Sequence, residues 1–148
     1  MTYVWDTNIF IKSVRSSDFL NMINIQYDCF NPSNQIYVST VTVGELYSFA
    51  LKNRWGSKRL VAMENLLKAT KSFPVTDDSD MIALYADIDV YSQSNHPTLR
   101  LPTSARKMGK NDLWIATTTA LVYGTLLSTD GDFDHLQGIF LSIIKIPD

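Results

Sequence analysis

Cysteine is nearly missing from this sequence. With Cys29 alone, no intrachain disulfide can form, and the CxxC pairs that mark structural zinc are absent. Long apolar runs are missing too: none approaches the roughly 18 to 20 residues that a membrane span needs. The first residues, MTYVWDTN, carry no basic stretch followed by an apolar one. These absences lead us to expect a cytoplasmic protein of a reducing compartment with no membrane association. A basic excess is also lacking, since 13 Lys and Arg against 15 Asp and Glu leave a net charge of −2, which does not announce a nucleic-acid binder. Neither GxGxxG nor GxxxxGK[ST] occurs, so phosphates have no glycine cradle and a nucleotide-binding Rossmann domain is disfavoured.

What is there suits one folded domain spanning residues 1–148. The chain is 45% hydrophobic and 19% charged, long enough to bury a core and too apolar to stay disordered. Its cations are unevenly spread. Lys52, Arg54, Lys58, Arg59, Lys68 and Lys71 share their stretch with Glu64 as the one acid, and Arg100, Arg106, Lys107 and Lys110 lie in a stretch with none. Such runs are commonly solvated faces, so the acids must decide whether they bind anything.

Short apolar runs at Tyr3–Trp5, Ile36–Val38, Phe73–Val75, Thr125–Leu127 and Phe140–Ile146 read as strands. Helical periodicity lies between them at about 41–53, 58–70, 78–93 and 112–123. Alternating strands and helices predict an α/β fold with a mostly parallel sheet covered on both faces. Residues 95–110, with two prolines and a glycine, read as a surface loop.

In such a sheet ligands bind where strands end and helices begin. Asp6 ends the first strand, Asp130 follows the strand at Leu126 and Leu127, Asp112 opens a helix at the same edge, and Glu45 lies about one turn into another. Four carboxylates drawn together cost stability unless a cation neutralises them. With oxygen donors and no thiolate or His pair, the expected ion is hard, Mg²⁺ or Mn²⁺, and the chemistry is phosphodiester hydrolysis. Each acid also has a reading without chemistry. Asp6 could cap the helix starting near Thr7, Glu45 makes a capping-box pattern with Thr42, Asp112 or Asn111 could be an N-cap, and Asp130 with Gly131 a turn.

The segments VWDTNIFI (4–11), STVTVGELYSFA (39–50), GKNDLWIATTTA (109–120) and LLSTDGDF (126–133) occur in an order and spacing that resemble the PIN domain, and within it the VapC-like toxins of toxin–antitoxin pairs. The likeness covers nearly the whole chain. It implies a three-layer α/β/α fold with a five-stranded parallel sheet and a metal-dependent endoribonuclease cutting single-stranded RNA. It also implies Mg²⁺ or Mn²⁺ on Asp6, Glu45, Asp112 and Asp130, with Asp132 as a possible fifth acid. Thr7, Asn8 and Thr129 would be polar supports, and the partners would be a second copy of the chain and a cognate antitoxin. The 95–110 loop departs from the pattern by looking longer and more basic than in many relatives.

With a carboxylate site accepted, Lys52, Arg54, Arg106, Lys107 and Lys110 become candidate RNA contacts, because a polyanion needs cations to approach it. Tyr47, Trp55 and Trp114 are candidates for stacking on bases, with core packing favoured for Trp114. His96 and His135 lie outside the matched segments and are not expected to act in catalysis. Three other functions compete. A haloacid-dehalogenase-like phosphatase needs a second Asp two residues after the first, where Asn8 stands. A catalytically silent RNA- or protein-binding module would have dropped an acid, and none is missing. A nuclease preferring single-stranded DNA could use the same acids, since only contacts to the 2′-hydroxyl separate the two substrates.

Overall fold

Three neighbouring side chains sort the interior into two halves. On strand β1 (Thr2–Trp5), Tyr3 and Trp5 join one buried cluster and Val4 the other, as the two-residue period of a strand requires. The split repeats on β4 (Thr125–Ser128), where Leu127 sides with Trp5 and Leu126 with Val4. The computed structural model describes residues 1–148, and its other strands are β2 (Gln35–Ser39), β3 (Lys71–Phe73) and β5 (Ser142–Lys145). All pairings are parallel and the order is β3-β2-β1-β4-β5.

Helices α1 (Thr7–Arg15), α2 (Ser17–Tyr27), α3 (Thr40–Lys52) and α4 (Ser57–Lys68) cover the Trp5 face through Ile9, Phe10, Ile23, Leu46 and Met63. Helices α5 (Ser79–Ser92) and α6 (Lys110–Leu121), with the 3₁₀ turn Gly131–Leu136, cover the Val4 face through Ile88, Tyr91, Ile115 and Phe133. The result is the expected three-layer α/β/α arrangement. On α6 the hydroxyls of Thr117, Thr118 and Thr119 are buried, and each donates to the carbonyl four residues back at 2.7 to 2.9 Å, which lets a polar run enter the core. No helix is long and apolar enough to cross a membrane.

Several boundaries differ from the sequence reading. The third strand ends at Phe73 rather than running to Val75, because Pro74 has no N–H for the ladder, and the Val75 amide donates to the Thr40 hydroxyl instead. The last strand is confined to Ser142–Lys145, while Phe140, before it, packs edge-on against Tyr91 at 5.3 Å. Helix α2 was not expected; it buries Ile23 completely and packs Phe19, Leu20 and Tyr27, partly buried, against the same cluster. The 95–110 loop is anchored on the core: Leu101 and Met108 are buried, and the Arg106 amide donates to the Ser92 carbonyl.

What matters for function is the edge between β1 and β4. The chain leaves β1 toward the Trp5 face and leaves β4 toward the Val4 face, which opens a crevice beyond their carboxyl ends.

Candidate metal centre

Asp6 stands in that crevice, directly after β1. One carboxylate oxygen accepts from the Thr7 amide at 2.7 Å, so it does cap α1, and the other accepts from the Ser128 hydroxyl on β4 at 2.8 Å. Asp6 is 4% exposed. Burial pushes its pKa up to about 6; the Ser128 and Thr7 hydrogen bonds pull downward, and the charges of Asp130 and Glu45 add to the rise.

Glu45 sits in the second turn of α3, where its carboxylate accepts from the Thr7 hydroxyl at 2.7 Å. The capping box with Thr42 does not form, since α3 is capped by the Ser39 hydroxyl, 3.2 Å from the Val41 amide. Asp112 lies in the first turn of α6, whose N-cap is Gly109, so neither Asp112 nor Asn111 caps it. The Asp112 carboxylate receives no hydrogen bond, and its pKa is raised to about 7, first by burial and then by Asp6, Asp130, Asp132 and Glu45. Asp130 follows β4; its amide donates to the Ser128 hydroxyl at 2.9 Å, and its side chain accepts from the Asp132 amide at 2.9 Å.

Asp6, Thr7, Asn8, Glu45, Asp112 and Asp130 line one cavity of about 320 Å³. Oxygens of Asp112, Asp130 and Asp132 fall within 4.8 Å of one another. No Lys, Arg or His pairs with any of the five acids; the ion pairs are Lys12–Asp148, His96–Asp87 and Lys145–Asp134. An all-oxygen, uncompensated donor set of this kind fits a hard divalent cation and offers nothing to a thiolate- or imidazole-seeking one.

The sequence model of the PIN domain matches residues 3–139. The chain belongs to the PIN domain family. A comparison with curated proteins gives no match. Among solved structures this PIN domain is similar to VapBC2 from Rickettsia felis, bound to a promoter DNA fragment, with TM-score 0.75 and 16% identity. It is also similar to VapBC-1 from nontypeable Haemophilus influenzae, with TM-score 0.71 and 20% identity. VapBC-5 from Mycobacterium tuberculosis, a member of a family of toxin–antitoxin systems, gives TM-score 0.64 and 24% identity. Each match covers 98% of both chains.

The PIN domain's central hydroxyl is one that sequence reasoning passed over. Ser128, fully buried, donates to Asp6 and accepts from the Asp130 amide, which ties the ends of β1 and β4 together. Thr129, the expected support, makes no side-chain hydrogen bond. The available signal was position, since Ser128 is the last residue of β4, at the carboxyl edge where the acids gather. Of the basic candidates, Lys52 lines a cavity adjoining the acids, and Lys110 begins α6 two residues before Asp112. Arg106 and Lys107 line another cavity with Asp132, although the Arg106 guanidinium is already engaged by the Gly131 carbonyl at 3.1 Å. Arg54 is exposed just beyond α3 in a left-handed conformation, φ 51°. Trp55 is buried and Trp114 packs on Tyr85 at 4.2 Å, which leaves Tyr47 as the exposed aromatic of the three. Both histidines serve the loop region: His135 Nε2 lies 2.6 Å from the Ser92 hydroxyl, and His96 accepts from the Leu99 amide at 3.0 Å.

Proposed function

We propose that this PIN domain is a divalent-metal-dependent endoribonuclease that uses Mg²⁺ or Mn²⁺ and serves as the toxin of a VapC-like toxin–antitoxin pair. The observation that carries the nuclease reading is five carboxylates gathered beyond β1 and β4 with no cationic side chain paired to any of them. When bound, the ion supplies positive charge and Lewis acidity toward a phosphodiester. Asp112, Asp130 and Asp132 would hold it, with Asp6 and Glu45 completing the wall under the control of Ser128 and Thr7. Asn8 offers a free amide in the same cavity. Lys52 and Lys110 draw the RNA backbone toward an otherwise repellent site. The toxin role and an antitoxin partner are supported by the likeness to structures named for VapBC toxin–antitoxin pairs. A homodimer and a cytoplasmic location complete the reading.

The test is incubation of the purified protein with single-stranded RNA in Mn²⁺ or Mg²⁺, with and without EDTA, beside an Asp6→Asn/Asp112→Asn variant. Cleavage should require metal and fall at least about 100-fold in the variant. No cleavage of varied RNAs, together with no metal binding, would instead identify a silent binding module. Preferential cutting of single-stranded DNA would move the substrate assignment. Expression of the chain alone should slow host growth, and unimpaired growth counts against the toxin role.

A further inference from the structure

The acidic cavity adjoins a larger one. Glu45 and Phe49 line both, and beyond them a cavity of about 550 Å³ is bounded by Gly44, Ser48 and Lys52 on α3 and by Asn111 at the start of α6. Lys52 joins no ion pair, and Ser48 and Asn111 make no side-chain hydrogen bond; all three are exposed. A cation, a hydroxyl and an amide therefore stand unengaged around one hollow, next to the carboxylates.

Gly44 is the unusual member. It sits inside α3, where glycine is less stable than alanine, and the fold does not ask for it. Its φ is not positive, and a Cβ built there would meet no atom within 4 Å. The side chain is missing where packing permits one, and what its absence widens is the cavity. Close approach of the backbone to a ligand is one of the uses of glycine, and Gly44 leaves room for it here.

We infer that this cavity is a nucleotide subsite, which takes the ribose and phosphate next to the scissile bond of a single-stranded RNA. Gly44 forms its floor, Lys52 meets the phosphate, and Ser48 and Asn111 meet the sugar and base edge. The identity of the strand rests on the nuclease reading above. A polyanion suits the hollow better than a peptide, because its lining is mostly polar and its one charged group besides Glu45 is a cation. A strand crossing both cavities would set one phosphate against the acids and the next nucleotide beside Lys52.

The experiment measures binding of a 5′-labelled single-stranded RNA oligonucleotide in Ca²⁺, and its cleavage in Mn²⁺, for the full chain and its Gly44→Ala, Gly44→Leu and Lys52→Ala variants. Gly44→Ala should melt at or above wild type while RNA affinity drops about fivefold, and Gly44→Leu should lose more. Lys52→Ala should lose about tenfold and lower the salt dependence of binding by about one ion. Mn²⁺ affinity should be unchanged in all three. A folded Gly44→Leu variant that binds and cuts RNA like wild type overturns the subsite while leaving the nuclease intact. Gly44-dependent binding by a wild-type chain that cuts nothing keeps the subsite and removes the nuclease. If Gly44→Leu instead abolishes only capture of a protein partner, the hollow is a protein-docking face and the inference falls.

Discussion

The two walls of the acidic cavity are built on opposite terms. On the β1–α3 wall each carboxylate is held by donors from the chain: Asp6 by the Thr7 amide and the Ser128 hydroxyl, Glu45 by the Thr7 hydroxyl. On the α6–β4 wall Asp112 has no donor, and Asp130 accepts only from the amide of Asp132, itself an acid. Asp6 is the more deeply buried, yet its pKa reaches about 6 and that of Asp112 about 7, because hydrogen bonds to the charged form offset part of the burial at Asp6. One wall is finished by folding. The other keeps its repulsion until something positive arrives.

Removing a charge from the unfinished wall should give the largest effects, in opposite directions for activity and stability. Asp112→Asn should cut metal-dependent RNA cleavage at least about 100-fold. In EDTA near pH 8 the same variant should melt above wild type, since it removes a carboxylate that the fold holds charged against its neighbours. Both raised values lie above the ordinary 3.8, so at these two acids the folded chain binds more protons than the unfolded one as pH climbs from about 4 to about 7. Their contribution to stability falls over that range, outweighing the opposite contribution of the single partly buried His135, whose pKa is lowered. The melting temperature in EDTA should therefore decline from about pH 5 to about pH 8. Added Mn²⁺ should restore more at the upper end, because the ion binds deprotonated ligands. A flat pH profile in EDTA, or a lower melting point for Asp112→Asn, would show that the wall carries no stored repulsion.

The two walls also differ in how plainly the sequence displays them. The acids were legible because strand ends and helix starts share one edge of a parallel sheet, a matter of chain order that needs no coordinates. The two-sided core was legible for the same reason, through the apolar runs of β1 and β4. The donors were legible only in part: the resemblance offered Thr7 as a polar support without naming its partner, and nothing offered Ser128. The two reach across 38 and 122 residues to Glu45 and Asp6, and no local pattern encodes such a reach. Helix α2 was passed over although Phe19, Leu20, Ile23 and Tyr27 recur at helical spacing and pack on one cluster, and Pro74 shortened β3 in a stretch whose hydrophobicity reads straight through it.

Cutting the bridge between the walls should have the next largest effect. Ser128→Ala leaves a buried Asp6 oxygen without its donor and the Asp130 amide without its acceptor, at a cost of about 1 to 3 kcal/mol. With both acids loosened, metal affinity should drop about 10- to 100-fold, the usual range for groups that orient metal ligands. In an Asp6→Asn background the same change should cost less, because part of what it breaks is already gone. Isothermal titration with Mn²⁺ on the four proteins of this cycle measures the coupling. Additive losses would mean that Ser128 holds only the backbone turn, and that the walls are independent.

The smallest effect belongs to Thr7→Val, which keeps the shape of the side chain and the amide that caps α1 but removes the hydroxyl aimed at Glu45. Glu45 is only partly buried, so water can replace the lost donor, and stability should change by less than about 1 kcal/mol. Activity should still fall, by about tenfold or less, since a freely rotating Glu45 meets an ion less often in the right pose. Thr7→Ser, which keeps the hydroxyl, should recover most of that loss. If Thr7→Val is as active as wild type, Glu45 does not need to be held, and the ordered wall is ordered for folding rather than for catalysis.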